Sequence, residues 1–156
     1  MPHGEEAVGR RLATLADSWK VLHGVVLSDK GTDIDHVVIG PGGVSTLNTK
    51  NHAGGNVTVY ERALYVNGHQ TLYVQKSKAE ARRATRLLSA ACGCSVAVEP
   101  VVVVMCSRLT VRGYPSDVHV VRVKGITRWL SGRPGVLTPD AVAHVYALAR
   151  RDAAWH

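Results

Sequence analysis

The spacing of apolar positions along the chain predicts the order of its helices and strands. Residues 4–17 place Val8, Leu12 and Leu15 at helical intervals, which predicts an N-terminal helix with one buried stripe. Short apolar or alternating segments follow, and turn residues separate them, which is typical of β-strands. The predicted elements are strands at 19–27, 33–40 and 43–50, a loop at 28–32, a turn at 51–56, and short strands at 57–60, 63–66 and 71–74.

The second half of the chain begins with a long helix, predicted at 75–91, whose alanines and leucines alternate with basic residues. Residues 98–106 are almost uninterrupted apolar, β-branched positions, which is typical of a strand buried on both faces. A strand at 118–123, a short helix at 125–130 and a final helix capped by Thr138 complete the order. This order predicts a single α/β domain over residues 1–156, with helices sandwiching a mixed β-sheet.

The segment Gly40-Pro41-Gly42-Gly43 predicts a tight turn between the second and third strands. Proline presets φ at the second turn position, and Gly42 at the third tolerates the positive φ of a type II turn. If Gly40 pairs with Gly43, Asp35 lies opposite Asn48 and Lys50 lies opposite Asp33. Side chains alternate between sheet faces, so Asp35, Asn48 and Lys50 are expected on one face, with opposed Cβ atoms about 4.5–5.5 Å apart.

These residue types suggest phosphodiester chemistry. Mg²⁺ prefers oxygen ligands and needs only one or two protein carboxylates beside its waters and a substrate phosphate. Asp35 offers a carboxylate, Asn48 an amide oxygen and Thr49 a main-chain carbonyl. Lys50 can stabilise the charge that develops on the phosphorus or help to deprotonate the attacking water. Glu5 shares the buried stripe of the first helix and is expected to point toward this site, where it can bind the metal directly or through water.

Other interpretations of these residues involve no chemistry. Asp35 and Lys50 can form a cross-strand ion pair, and Glu5 can be an acid favoured by the dipole at the start of a helix. His36 is expected on the face away from Asp35, as a structural histidine. Cys92 and Cys94 lack the second pair of ligands that a zinc site requires, so zinc is not expected.

Charge and composition narrow the classes of partner. The net charge of +7 favours an anionic partner, either nucleic acid or a membrane surface. Lys76, Lys78 and Arg82 on the long helix are candidate nucleic-acid contacts, although such a basic helix is also compatible with a simple solvated face. No apolar run approaches the roughly 18 residues of a membrane span, and the polar N-terminus is unlike a signal peptide. Three free cysteines favour a reducing, cytoplasmic location.

Several motifs together resemble the nuclease-related domain family, NERD, across about residues 4–110. They are Gly4-Glu5, the segment 19–23 (WKVLH), the segment 33–44 (DIDHVVIGPGGV) and Thr49-Lys50. The family is placed in the PD-(D/E)xK nuclease superfamily, so the resemblance implies a restriction-endonuclease-like core, Mg²⁺ or Mn²⁺ as cofactor, and DNA cleavage. It also implies roles for Glu5 as the helix glutamate, Asp35 as the metal aspartate and Lys50 as the motif lysine.

The chain departs from the superfamily pattern at Asn48, where an acid is usual. Asparagine retains an oxygen ligand but removes one negative charge, which weakens attraction for a cation. The sequence favours a Mg²⁺-dependent nuclease domain acting on DNA. The alternative is a nucleic-acid-binding or interaction module that has the fold but little or no catalytic activity. A membrane-surface binder that uses the basic charge is disfavoured, because no long amphipathic cationic helix stands out beyond 75–91.

Overall fold

The computed structural model describes residues 2–27 and 33–156, so the predicted loop at 28–32 lies outside the described residues. One-turn 3-10 helices are present at Val123–Gly125 and Asp152–Trp155. The helices and strands are α1 (Pro2–Leu12), β1 (Lys20–Val26), β2 (Asp33–Gly40), β3 (Gly43–Val59), β4 (Leu64–Val66), β5 (His69–Gln70), α2 (Tyr73–Cys92), β6 (Val98–Val111), β7 (His119–Arg122), α3 (Ile126–Ser131) and α4 (Pro139–Ala149).

All seven strands belong to one mixed sheet, and β3 is the strand that pairs with β2, β4 and β6. One edge of β3 pairs in parallel with β6 along most of its length, and β6 pairs in parallel with β7. The other edge pairs antiparallel with β2 over residues 43–47 and with β4 over residues 57–59. Between these two ladders, residues 48–56 have no strand on that edge within the described chain. This gap positions the candidate site.

Helices cover both faces of the sheet, as the sequence predicted. On one face α1 and α3 pack against Leu47, Val101 and Val103. On the other face α2 and α4 pack against Val37 and Ile39. The alternation in β2, β3 and β6 therefore produces two separate apolar layers, and the molecule has a restriction-endonuclease-like α/β core.

The turn between β2 and β3 has the predicted pairing but a different backbone geometry. Gly40 pairs with Gly43, and the left-handed φ of +111° belongs to Gly43, so the predicted positive φ at Gly42 is wrong. Close packing requires the absence of a side chain at the other two glycines, Gly40 and Gly42. A Cβ on Gly40 would lie 2.1 Å from the Trp19 ring, and one on Gly42 would lie 2.7 Å from Arg133 Cβ.

Two local predictions are wrong because tertiary contacts override local preference. The predicted turn at 51–56 is part of β3, which continues beside β6 with a register shift between His52 and Asn56. The predicted strand at 71–74 contains the start of α2 at Tyr73, because Val74 is buried with other residues at helical spacing. The turn at Asn67-Gly68 is confirmed, with φ of +50° and +84°. No helix in residues 2–27 and 33–156 is long and apolar enough to cross a membrane.

Candidate active site

Asp35 lies where the β2–β3 ladder ends. The register is the predicted one from Gly40–Gly43 to His36–Leu47, so Asp35 is the first residue of β2 beyond the ladder. Its carboxylate oxygen Oδ2 accepts a hydrogen bond of 2.7 Å from the main-chain N–H of Thr49. The Asp35 carboxylate thus accepts the hydrogen bond that the carbonyl of a neighbouring strand would otherwise accept from the Thr49 N–H. This hydrogen bond fixes the position of Asp35 beside β3.

Glu5 reaches Asp35 because α1 packs very closely on β3. A Cβ on Gly4 would lie 2.9 Å from Thr49 Cγ2 and 3.3 Å from Asn51 Cβ, so only glycine allows this approach without a shift. The Glu5 side chain is mostly exposed, yet it hydrogen-bonds to Asp35. Partial burial raises the pKa of Glu5, and the charge of Asp35 and this hydrogen bond raise it further. The predicted direction of Glu5 toward Asp35 is confirmed, but Glu5 is exposed, so its predicted place on the buried stripe of α1 is wrong.

Asn48 lies on the face of the sheet that α2 covers, and there its side chain contacts Glu80. The Asn48 amide donates a hydrogen bond of 2.5 Å to Glu80 Oε1. Burial raises the pKa of Glu80, and the charges of Asp35 and Asp33 add to this, whereas the Asn48 hydrogen bond and Lys50 lower it. Asp35, Asn48 and Lys50 therefore all influence the pKa of the Glu80 carboxyl group.

Lys50 lines the same cleft as Asn48 and Glu80. Its ammonium group lies 4.6 Å from the centre of the Tyr73 ring, and the Tyr73 hydroxyl hydrogen-bonds to His52 at 2.9 Å. We name this space of about 480 Å³ the α2 cleft. Its lining comprises Leu27, Asp33, Asn48, Lys50, Tyr73, Lys76, Ser77, Ala79, Glu80, Arg83 and Val102.

The structure thus brings Glu5, Asp35, Asn48 and Lys50 to one region around the gap in β3. Thr49 contributes its main-chain N–H to Asp35, and its side chain is buried under Gly4. The predicted metal contact of the Thr49 carbonyl stays a prediction. Among the described residues Asp35 and Lys50 form no ion pair, so the simple cross-strand ion pair is not the arrangement found.

Sequence reasoning missed Glu80. It is the only acidic residue of α2, and the strongly basic composition of that helix directed attention to phosphate contacts. A signal was present in the spacing, because Glu80 follows buried Ser77 by three residues and precedes buried Ala84 by four. A single acid on the buried stripe of an otherwise basic helix is the sequence pattern that could have identified Glu80 as a candidate site residue.

The three predicted nucleic-acid contacts on α2 are divided between two surfaces. Lys76 is exposed and lines the α2 cleft. Lys78 and Arg82 instead line a separate depression that also contains Glu99 and Asp117. The Lys78 ammonium lies 3.6 Å from an Asp117 carboxylate oxygen, which offsets part of its charge.

His36 is buried on the α1 face, away from the α2 cleft. Its Nδ1 atom lies 2.8 Å from Nδ1 of His23, and burial, followed by the neighbouring His23, lowers the pKa of His36. The prediction of a structural histidine is therefore confirmed, because His36 is buried and its ring contacts His23. Cys92, Cys94 and Cys106 are free thiols. Within the described residues, no three His, Cys, Asp or Glu side chains are grouped tightly enough to enclose a metal ion by themselves.

Comparison with known proteins identifies the family of this chain. A family model described as the nuclease-related domain, NERD, matches residues 3–105, which include Glu5, Asp35, Asn48, Lys50 and Glu80. No curated protein and no solved structure gives a significant match. The matched segment is about two thirds of the chain and includes α1 through most of β6. The chain therefore belongs to the nuclease-related domain family.

Proposed function

We propose that the domain hydrolyses phosphodiester bonds of nucleic acid, with DNA as the expected substrate and Mg²⁺ or Mn²⁺ as cofactor. The convergence of Glu5, Asp35, Lys50 and Glu80 around the gap in β3 is the observation that carries this proposal. Three elements, α1, the β2–β3 hairpin and α2, each contribute an acid to one region. A helix-start acid or an isolated ion pair would not require this convergence.

The residues fit a hard divalent cation. All the candidate ligands are oxygen donors, and the pKa values of Glu5 and Glu80 are raised, first by burial and then by the charge of Asp35, so a bound cation would offset both effects. Asp35 acts electrostatically on both Glu5 and Glu80, so it would be the shared ligand, while Asn48 and the Thr49 carbonyl would be the supporting oxygens. A bound Mg²⁺ or Mn²⁺ would neutralise phosphate charge and lower the pKa of a bound water.

Lys50 has the role of an electrostatic stabiliser. Its ammonium group shares the α2 cleft with Asn48 and Glu80 and is oriented by the Tyr73 ring. There it can interact with the phosphate oxygens as they gain charge, or take part in removing a proton from the attacking water. Lys76 is exposed at the same cleft and provides a further contact for the substrate phosphate.

Glu80 accounts for the unusual Asn48. A carboxylate at position 48 would lie about where the Asn48 amide now donates to Glu80, and two carboxylates at that distance repel each other. Asparagine instead donates a hydrogen bond that orients Glu80. We infer that Glu80 of α2 supplies the negative charge that an acid at position 48 of β3 would otherwise supply. Asn48 therefore does not by itself indicate a catalytically inactive domain.

The proposal is tested with supercoiled plasmid, linear single strands and RNA, each incubated with Mg²⁺, Mn²⁺ or EDTA. Glu80→Gln is expected to reduce cleavage by about 10²-fold or more, because it preserves shape and removes the charge. Glu61→Gln is the matched control, since Glu61 is an exposed acid beside Arg62 and Tyr60, on a separate surface from the α2 cleft.

Thermal denaturation provides a second readout that does not depend on turnover. Mg²⁺ or Mn²⁺ is expected to raise the melting temperature of the wild type but not of Asp35→Asn. If neither metal stabilises the wild type and no DNA or RNA is cut, the nuclease proposal is wrong. The domain is then a binding module with a nuclease-like fold.

A further inference from the structure

A second cleft lies on the α1 side of the sheet, where β7 ends and leaves β6 uncovered. The β6–β7 ladder stops at Val104–Arg122, and α1 and α3 flank the exposed end of β6. We name this space, which measures about 520 Å³, the basic cleft. Four cationic residues line it: Arg10, Arg11, Arg122 and Lys124.

The charge of the basic cleft is not offset by its own lining. None of the residues that line it is acidic, and within the described residues none of its four cations forms an ion pair. Two of its guanidinium groups are held in place by main-chain carbonyls instead. Arg122 donates to the Cys106 carbonyl at 2.9 Å, and Arg11 donates to the Lys124 carbonyl at 3.4 Å. Carbonyl partners orient a guanidinium while leaving its net charge in place for an anion.

The position of the basic cleft links it to the candidate active site. Val104 of β6 pairs with Lys50 on one side and with Arg122 on the other. The backbones at Lys50 and Arg122 are therefore two strand spacings apart, about 10 Å. In addition, α1 carries Glu5 at one end and Arg10 and Arg11 at the other.

We propose that the basic cleft binds the phosphodiester backbone of nucleic acid on one side of the cut site. This inference rests on the proposed function for its position along the substrate, but it concerns binding and not catalysis. Arg11 and Arg122 are the anchoring contacts, and Arg10 and Lys124 add long-range attraction. Because the contacts are to phosphates, they attract all sequences alike.

The depression on α2 that contains Lys78 and Arg82 is the competing footprint. There, Glu99 and Asp117 lie among the cations, and Lys78 is paired with Asp117. Both surfaces offer two readily removed positive charges, so the same charge change can be made in each. The chain thereby provides a matched comparison.

The experiment measures binding of a short fluorescent DNA duplex, and of an RNA duplex of equal length, by anisotropy in EDTA at several salt concentrations. Arg11→Gln combined with Arg122→Gln is expected to weaken binding about fivefold to tenfold. If each residue contacts one phosphate, the slope of log K against log salt falls by about 1.8 for DNA, at about 0.9 per phosphate. Lys78→Gln combined with Arg82→Gln is expected to change the affinity less than twofold. Thermal denaturation verifies folding, and Arg10→Gln with Lys124→Gln is the second pair if the first is unstable.

Wild-type affinity in both basic-cleft pairs would overturn the inference, and so would a larger loss in the Lys78 and Arg82 pair. Inorganic phosphate that is bound by the wild type but does not compete with duplex would indicate a small-anion site and overturn it too. Failure of the two proposals is separable. A protein that binds through this cleft but never cleaves contradicts the nuclease proposal alone, and one that cleaves with unchanged affinity in the variants contradicts this inference alone.

Discussion

The two clefts on either side of β3 and β6 differ in the sign and arrangement of their charges. The α2 cleft contains Asp33 and Glu80 beside Lys50, whereas the basic cleft is lined only by cations and neutral residues. In the α2 cleft the carboxyl group of Glu80 is half-buried, and its pKa is raised. In the basic cleft the residues Arg122 and Lys124 are exposed.

Under the proposed function, this difference separates two tasks, catalysis and substrate binding. A mixed-charge, partly buried site can bind a cation and stabilise a changing phosphate charge. A purely cationic, exposed surface attracts a polyanion without altering its reactivity. Substitutions in the α2 cleft should therefore change turnover or metal dependence, and substitutions in the basic cleft should change affinity and its dependence on salt.

The largest expected effect tests this division directly. Lys50→Ala should reduce cleavage by about 10²–10³-fold, because it removes a preorganised charge at the phosphate. Binding of duplex in EDTA should change less than threefold, because one positive charge of many is lost. Cleavage rates and anisotropy on the same preparation provide the measurement, with Arg62→Ala, which removes one exposed positive charge on a separate surface, as the control. Equal losses of binding and cleavage for Lys50→Ala would show that the two clefts are not functionally distinct.

The second prediction concerns α1, which connects both clefts. Gly4→Ala should destabilise the fold by about 1–3 kcal/mol, because its Cβ overlaps Thr49 Cγ2, and it should also displace Glu5 from Asp35. Gly9→Ala on the same helix should be neutral or stabilising by up to about 1 kcal/mol, because its Cβ would contact His36 at an ordinary 3.8 Å. Chemical denaturation of both variants, with cleavage assays, makes the comparison. Equal stability would show that the close approach of α1 is not required.

The third prediction concerns the sign of charge in the α2 cleft. Asn48→Asp should lower stability in EDTA by about 1–2 kcal/mol, because the new carboxylate faces Glu80, and Mg²⁺ should restore much of that loss. For a domain of this size the change corresponds to roughly 2–8 °C in melting temperature. Asn48→Asp combined with Glu80→Gln should recover the stability in EDTA, because one acid and one amide again face each other. A double variant no more stable than Asn48→Asp would argue against direct coupling between positions 48 and 80.

The smallest expected effect concerns the orientation of Lys50. Tyr73→Leu should lower cleavage about threefold to fivefold, because a cation–π contact contributes about 0.5–1 kcal/mol at a partly exposed site. Tyr73→Phe keeps the ring and removes only the hydroxyl bond to His52, so its cleavage rate should stay within twofold of the wild type. If both variants lose activity equally, the hydroxyl and not the ring positions Lys50.

The sequence alone determined the elements whose signals are local. Apolar spacing located α1, β1, β2, α2 and β6, and the pairing about the Gly40–Gly43 turn placed Asp35 beside β3 at the end of the β2–β3 ladder. Side-chain alternation then indicated which residues of the hairpin share a face. These inferences needed only neighbouring residues, because strand period and turn length are fixed by backbone geometry.

Contacts between distant segments were decided only by the tertiary structure. The extension of β3 through 51–56 depends on continuous pairing with β6, which overrides the local preference of its glycines for a turn. Glu80 meets Asn48 only because the chain connecting β3 to β6 places α2 over that face of the sheet. The basic cleft likewise combines α1 with the end of β7, more than a hundred residues later. Local spacing determined which side chains each element presents, and long-range packing determined which of them meet.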